Sequence, residues 1–428
     1  MGGSTHEVGD GGKLSSFYCP DVKRCDLPPI DLRFASATSP RRRKEETMTA
    51  PIQDSSRSHW VNRSPLALRP YLQLSRLDRP VGYWLLALPG WIGLAFASLS
   101  HGFASTDLIW GPLILIGAIA MRGAGCTYND IVDQDLDAQV ARTALRPLPA
   151  GTVTTKQAWI WLFAQCAVGL IVLLCLPRLA QIISLASIPL VAAYPFMKRI
   201  TWWPQIWLGM TFNWAVLVAY AAKTGTVSLP LLILYVGLIF WTVGYDTIYA
   251  CQDIEDDMKI GVKSTARRFG KRVKLGVGVC YTIASLLISA GIMLNGLLWR
   301  YWTCGDFVAN QLGWDLTGFS AYDVPVFLPI VATISLVCFL SHLLLWQTIR
   351  LKQTDSHKSL RLFKSNIVAA IILIGCLLPF GMLLNVQGSD DGPCSPDKTI
   401  QQHFEGISLK PICNSEFRSS QCDELTNP

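Results

Sequence analysis

The chain has 428 residues, 51% of them hydrophobic and 16% charged, with a mean hydropathy of +0.34. Soluble domains carry about 25% charged residues, so this composition excludes an ordinary soluble protein, and its apolar content excludes disorder through the body of the chain. The net charge of +7 is dispersed among apolar stretches rather than gathered into a nucleic-acid-binding stripe, and 13 cysteines in so long a chain do not make a disulfide scaffold.

Residues 1–70 are polar and read as a disordered N-terminal extension. No apolar signal-peptide core precedes Tyr83, and Glu7, Asp10, Asp21, Asp26 and Asp31 make the segment a poor mitochondrial presequence. Met48 is an alternative start. A bilayer core about 30 Å thick needs roughly 20 apolar residues per helix. Nine stretches qualify, at 83–103, 107–128, 157–177, 180–197, 203–222, 229–249, 273–298, 324–349 and 366–386. They define a membrane domain over 71–387, followed by a polar tail at 388–428 that holds Cys394, Cys413 and Cys422.

Lys and Arg alternate between the loops. Those at 129–156, 195–203, 251–274 and 350–365 are rich in them, whereas the four intervening loops hold only Arg178, Lys223 and Arg300. Such alternation places the N-terminus and the basic loops in the cytosol and the C-terminus on the far side. The expected fold is all-α, with nine transmembrane helices around a central cavity and an aspartate-rich site at its cytosolic end.

Ionisable residues at membrane depth cost roughly 2.5–3.5 kcal/mol each, so clusters of them signal function. The first cluster runs from Asn129 to Asp137 at the end of the second span, where Asn129, Asp133 and Asp137 are spaced i, i+4, i+8 on one helix face, with Arg122 two turns earlier. The second holds Asp246, Asp253 and Asp257 at the end of the sixth span, with Asp253 and Asp257 again four apart. Asp135, Glu255 and Asp256 point off the shared faces. Facing carboxylates with no paired His or Cys suit Mg²⁺ rather than zinc. Arg76, Arg79, Arg122, Arg142, Arg146, Lys198 and Arg199 stand on the same side, and carboxylates, Mg²⁺ and guanidinium groups together form a diphosphate site.

At these residues the sequence resembles the UbiA family of intramembrane prenyltransferases. Asn129-Asp130-x-x-Asp133-x-x-x-Asp137, continued by Arg142-Thr143-x-x-Arg146-Pro147-Leu148, resembles the family's first aspartate motif. Tyr245-Asp246-Thr247-x-Tyr249-Ala250-x-Gln252-Asp253-x-x-Asp256-Asp257 resembles the second. Arg76-Leu77-Asp78-Arg79-Pro80-x-Gly82, Tyr194-Pro195-x-x-Lys198-Arg199 and Phe363-Lys364-Ser365-Asn366 are similar to the lead into its first helix, its central loop and the lead into its last helix.

The resemblance implies Mg²⁺-dependent transfer of a prenyl group from a diphosphate to a carbon of an aromatic acceptor. It implies metal ligation by Asn129, Asp133, Asp137, Asp253 and Asp257, diphosphate contacts from Arg76, Arg122, Arg146 and Lys198, and a carbocation and acceptor pocket from Phe212, Trp214, Tyr245 and Tyr249, with Asp246 as base. The poor presequence and the long region at 299–323 weaken a housekeeping ubiquinone role, and the resemblance to fungal meroterpenoid enzymes of the family then implies a farnesyl donor, with an ER-like endomembrane as location. A 4-hydroxybenzoate polyprenyltransferase of ubiquinone synthesis in the mitochondrial inner membrane is the alternative, and an ion-coupled transporter is the reading from another class. The expected partners are the two small-molecule substrates and the lipid bilayer, with neither nucleic acid nor an obligatory protein partner.

Overall fold

Within a bilayer every backbone polar group needs an internal partner, and apolar runs of this length meet that demand as helices. The computed structural model describes residues 59–139, 143–252, 254–259, 261–303 and 327–387, and every regular element among them is helical. Besides the short turns Trp60–Arg63, Gly270–Arg272, His342–Gln347 and Thr348–Arg350, these are in chain order α1 (Arg69–Leu74), α2 (Val81–His101), α3 (Asp107–Val132), α4 (Gln134–Asp137), α5 (Thr155–Leu174), α6 (Arg178–Ala186), α7 (Ile188–Ile200), α8 (Pro204–Thr224), α9 (Leu229–Ala250), α10 (Ile254–Lys259), α11 (Thr265–Phe269), α12 (Val273–Thr303), α13 (Phe327–Ser341), α14 (Ser356–Lys364) and α15 (Asn366–Gln387). Arg142, Asp253 and residues 304–326 of the interrupting region lie outside the described residues.

Among the described residues eight segments are long and apolar enough to cross a membrane: Val81–His101, Asp107–Val132, Thr155–Leu174, Arg178–Ile200, Leu229–Ala250, Thr265–Asn295, Thr333–Arg350 and Ser356–Leu378. The expected fifth span forms the 21-residue α8, which is not among these eight. Polar residues lower its hydropathy, and they bond to neighbouring helices. Asn213 Nδ2 donates to Gly209 O at 2.8 Å, Leu238 O at 3.1 Å and Thr242 Oγ1 at 2.7 Å, tying α8 to α9.

The helices close on one another in sequence neighbourhoods. α2 packs against α3, α8 and α15, α9 lies between α8 and α12, and α13 packs on α15. Close approach of α9 to α12 requires a missing side chain at Gly244, where an added Cβ would stand 2.2 Å from Tyr281 Cε1. Small residues serve this purpose in membrane helix pairs. Polar groups in the same half satisfy one another: Trp241 Nε1 donates to Asn366 Oδ1 at 2.8 Å, Gln347 Nε2 to the same oxygen at 3.0 Å, and Tyr281 Oη to Gln347 Oε1 at 2.5 Å. Gln347 ends a π-helical turn, His342–Gln347, which aims it inward; both Gln347 and Asn366 are fully buried.

At the end of the bundle opposite the aspartate motifs, Lys223 Nζ contacts Asp107 Oδ2 at 2.5 Å and Ser98 Oγ at 2.7 Å, clasping α8 to α2 and α3. A cavity of about 1310 Å³ lies in the other half of the bundle, bounded by α2, α3, α5–α8 and the last turns of α9.

Candidate active site

α1 delivers the first site residue. Leu74 packs against Leu148, Val153 and Ala158, while Ser75 Oγ donates to Gln165 Oε1 at 3.0 Å and accepts from Trp161 Nε1 at 2.8 Å. This fixes the chain just before Arg76, whose φ of 54° lies in the left-handed region. Arginine pays a steric cost there that the surrounding contacts must offset. Its Nη2 donates to both oxygens of Asp130, at 2.7 and 2.8 Å. Asp130 is 1% exposed and also receives Arg146 Nη1 at 3.3 Å. Burial alone would lower the Arg76 pKa, but the charges of Asp130, Asp78 and Asp137 together outweigh it and hold the guanidinium above its ordinary value.

The first aspartate motif does not continue as one straight helix. α3 ends at Val132, and Asp133 departs from helical geometry with φ −98° and ψ 11° before α4 begins. The i→i+4 bonds persist, Asp133 N–H to Asn129 O at 2.9 Å and Asp137 N–H to Asp133 O at 2.8 Å, so the three side chains stay on neighbouring turns. Their partners differ. Asn129 Nδ2 donates to Asp133 Oδ2 at 3.2 Å, and Arg199 Nη2 donates to Asp133 Oδ1 at 2.7 Å. Asp137 instead accepts from Arg146 Nη1 at 2.5 Å. Burial pushes the Asp137 carboxyl above the usual carboxylate range, against the pull of Arg146.

The second acidic segment is brought to the same cavity by the loop that follows it. Lys263 N–H donates to Lys198 O at 3.0 Å, Thr265 N–H donates to Gln205 Oε1 at 3.1 Å, and Arg267 lies over the Trp202 ring. Asn129, Asp133, Asp137, Asp246 and Asp257 all line the cavity; Asp253 lies outside the described residues. Phe212, Trp214, Tyr245 and Tyr249 line it too. Trp214 is steered by donating Nε1 to Ile183 O at 2.8 Å, and Tyr249 by the Phe363 ring at 4.7 Å.

Among the described residues no three His, Cys, Asp or Glu side chains converge as a ready metal cage. Asp130 and Asp137 are engaged by Arg146, and Asp133 by Arg199. The donor set nonetheless fits Mg²⁺, which typically takes one or two carboxylates and fills its shell with water and substrate phosphate. Asn129 Oδ1 is buried without a hydrogen-bond partner beside Asp133, an acceptor left available for a hard cation.

Three groups have partners in the site that the sequence pattern does not show, Asp130 and Asp78 without an expected role and Arg199 expected only among the cations of the same side. Asp130 is the buried hub for two guanidinium groups. Arg199 holds Asp133. Asp78, 4% exposed on the cavity wall, has Arg79 Nε 3.6 Å from one oxygen, and neither oxygen has a hydrogen-bond partner. A signal for Asp130 was its place inside the motif itself, but its helical direction differs from that of Asn129 and Asp133.

A profile described as the UbiA prenyltransferase family matches residues 86–325. The chain is 39% identical over 275 residues to the mitochondrial 4-hydroxybenzoate polyprenyltransferase of Arabidopsis thaliana, covering 64% of this chain and 66% of the relative. It is 44% identical over 248 residues to the Homo sapiens protein of the same name, covering 57% of this chain and 63% of the relative. The matched stretch thus spans just under two thirds of those two relatives. The fold is that of a solved apo UbiA homologue from Aeropyrum pernix K1, with a TM-score of 0.50 at 23% identity over 68% of this chain and 96% of that one. The chain belongs to the UbiA prenyltransferase family.

Proposed function

We propose that the protein transfers a prenyl group from a prenyl diphosphate to a ring carbon of a 4-hydroxybenzoate-type phenol. The observation that carries this reading is the cavity itself: one continuous space of about 1310 Å³ joins a rim of Arg and Asp side chains to an apolar interior. A diphosphate needs the first and an isoprenoid tail the second. The names of the relatives support 4-hydroxybenzoate as acceptor and the mitochondrial inner membrane as location, ahead of the meroterpenoid and endomembrane readings. A transporter would place its acids in broken helices near mid-membrane, whereas both acidic segments follow helix ends beside cationic groups.

In this reading Arg76, Arg146 and Lys198 bind the donor's phosphate oxygens, and Asn129, Asp133, Asp137, Asp253 and Asp257 are the oxygen ligands available to Mg²⁺. When bound, Mg²⁺ supplies counter-charge to the departing diphosphate. As the C–O bond to diphosphate breaks, Tyr245, Tyr249, Phe212 and Trp214 present ring faces to the allylic cation. The acceptor's ring carbon bonds to the donor's C1, and Asp246, half-buried on the cavity wall, takes the displaced ring proton. The apolar helices exclude water, which would otherwise yield a prenyl alcohol.

The test is reconstitution of the full chain in proteoliposomes with Mg²⁺, donors of increasing length and a panel of phenols, with products identified by mass spectrometry. Carbon-prenylated 4-hydroxybenzoate is the expected product. Selective prenylation of a polyketide phenol instead would return the assignment to the meroterpenoid reading.

A further inference from the structure

The cations of the central cavity belong to the site described above, among them Arg122, whose guanidinium lies 5.3 Å from the centre of the Phe212 ring on the cavity wall. Lys271, Arg272 and Lys274 stand apart from that site. They line the head of a separate groove of about 720 Å³ along α12, whose apolar stretch is formed by Leu275, Gly278, Val279, Thr282 and Ile283, with Thr348 beside them. All three cations are exposed, and among the described residues none of them forms an ion pair within 4.0 Å.

The basic turn Gly270–Arg272 is anchored on both sides. Phe269 packs so closely on α12 that a Cβ at Gly276 would stand 2.5 Å from its ring, and that ring lies 5.7 Å from the ring of Trp203. Lys274 Nζ donates to Ile349 O at 3.0 Å, which ties the start of α12 to the turn Thr348–Arg350 and leaves further ammonium N–H groups for a ligand. At Gly278 the two segments come close enough that a Cβ would stand 3.3 Å from Thr348 Cγ2, so the missing side chain gives the groove its depth.

The dimensions and charge of the groove select its occupant. Val273 to Ile283 spans about 15 Å of helix, half of a hydrocarbon core about 30 Å thick. Leu275 and Val279, 64% and 50% exposed, meet acyl chains at that depth. The occupant must therefore be apolar through one leaflet and anionic at its head. A soluble acidic peptide meets only the second demand. A second copy packed two-fold on this face would set the three cations against themselves.

We infer that this groove binds an anionic phospholipid, its phosphate held by Lys271, Arg272 and Lys274 and one acyl chain lying over Gly278 beside Thr348. Basic pockets between membrane helices are suited to such headgroups. The site lies outside the prenyl-transfer reading and does not depend on it.

The test uses the full-length protein in detergent micelles doped with phosphatidylglycerol or with phosphatidylcholine of the same acyl chains. Lipid retained in native mass spectra and the shift in melting temperature on lipid titration are the two readouts. Phosphatidylglycerol should be retained and should raise the melting temperature, and phosphatidylcholine should do far less. Each cation near the headgroup contributes about fivefold, so K271Q/R272Q should bind phosphatidylglycerol about thirtyfold more weakly. K156E makes the same change in net charge at an exposed position at the start of α5 and should bind as wild type does. G278L, which fills the groove without removing a charge, should also weaken binding. Rising salt should erode the wild-type preference, a reading that needs no variant. Equal retention of both lipids by wild type, or equal weakening in K156E and K271Q/R272Q, would overturn the assignment. So would stabilisation by inorganic phosphate matching that by the lipid, which would leave an anion site alone. A dimer that excess phosphatidylglycerol does not dissociate and that G278L abolishes would give the face to a second copy and overturn it too.

Discussion

Arg76 grips both oxygens of Asp130 at 2.7 and 2.8 Å from a backbone in the left-handed region, so a strained residue and a buried acid fix each other at the mouth of the cavity. Asp130 also holds Arg146, which in turn holds Asp137. The guanidinium groups proposed to bind the diphosphate are therefore set in place by the protein itself. Removing Asp130 leaves two largely buried cations without their shared partner. Breaking a buried pair in this way costs about 3–5 kcal/mol. Asp130→Asn should lower the melting temperature and raise the donor's KM, with acceptor KM little changed; unaltered donor kinetics would mean that the hub is not used.

The metal-ligand proposal separates neighbours in one turn. Asp133 is buried beside the unpartnered Asn129 oxygen, whereas Asp135 is exposed. Losing one electrostatic stabiliser of the departing diphosphate costs on the order of 10²–10³ in rate. Asp133→Ala should show that loss in kcat, and Asp135→Ala should be nearly silent. Equal damage from both would remove the basis for the ligand assignment.

Lys223 and Asp107, 4% and 5% exposed, form a buried clasp at the opposite end from the site. Single removal of either charge should destabilise by about 3–5 kcal/mol, and replacing both with apolar residues should cost less than the sum. A double-mutant cycle on thermal unfolding measures the coupling, and substrate KM values should not move.

The α9–α12 contact makes a packing prediction. Gly244→Val inserts atoms where Tyr281 already stands, and overpacking of this kind costs typically 1–3 kcal/mol. The melting temperature should drop accordingly. Tyr281→Leu, which opens space at the same contact, should partly rescue the variant.

The spans were legible because length and apolar composition are sufficient to specify membrane helices, and the acidic motifs because charge at such depth is rare. α8 was read as one more span; its Asn213 and Gln205 turn out to serve neighbouring elements, which hydropathy alone does not report. The single helix face drawn through Asn129, Asp133 and Asp137 was too regular. Spacing assumes ideal helical backbone, and Asp133 leaves it. Asp130 was missed for the converse reason: its partner Arg76 is 54 residues away and held by a left-handed backbone that no periodicity reveals. The π-helical turn that directs Gln347 inward is equally invisible to a 3.6-residue pattern.

The most direct measurement is the product formed by purified full-length protein in proteoliposomes, given a prenyl diphosphate, 4-hydroxybenzoate and Mg²⁺, with and without EDTA. The account predicts a carbon-prenylated hydroxybenzoate with release of diphosphate, lost in chelator and restored by excess Mg²⁺. Undiminished product in EDTA would contradict the metal-assisted site, and prenyl alcohol alone, with no prenylated acceptor at any chain length, would contradict the transferase assignment.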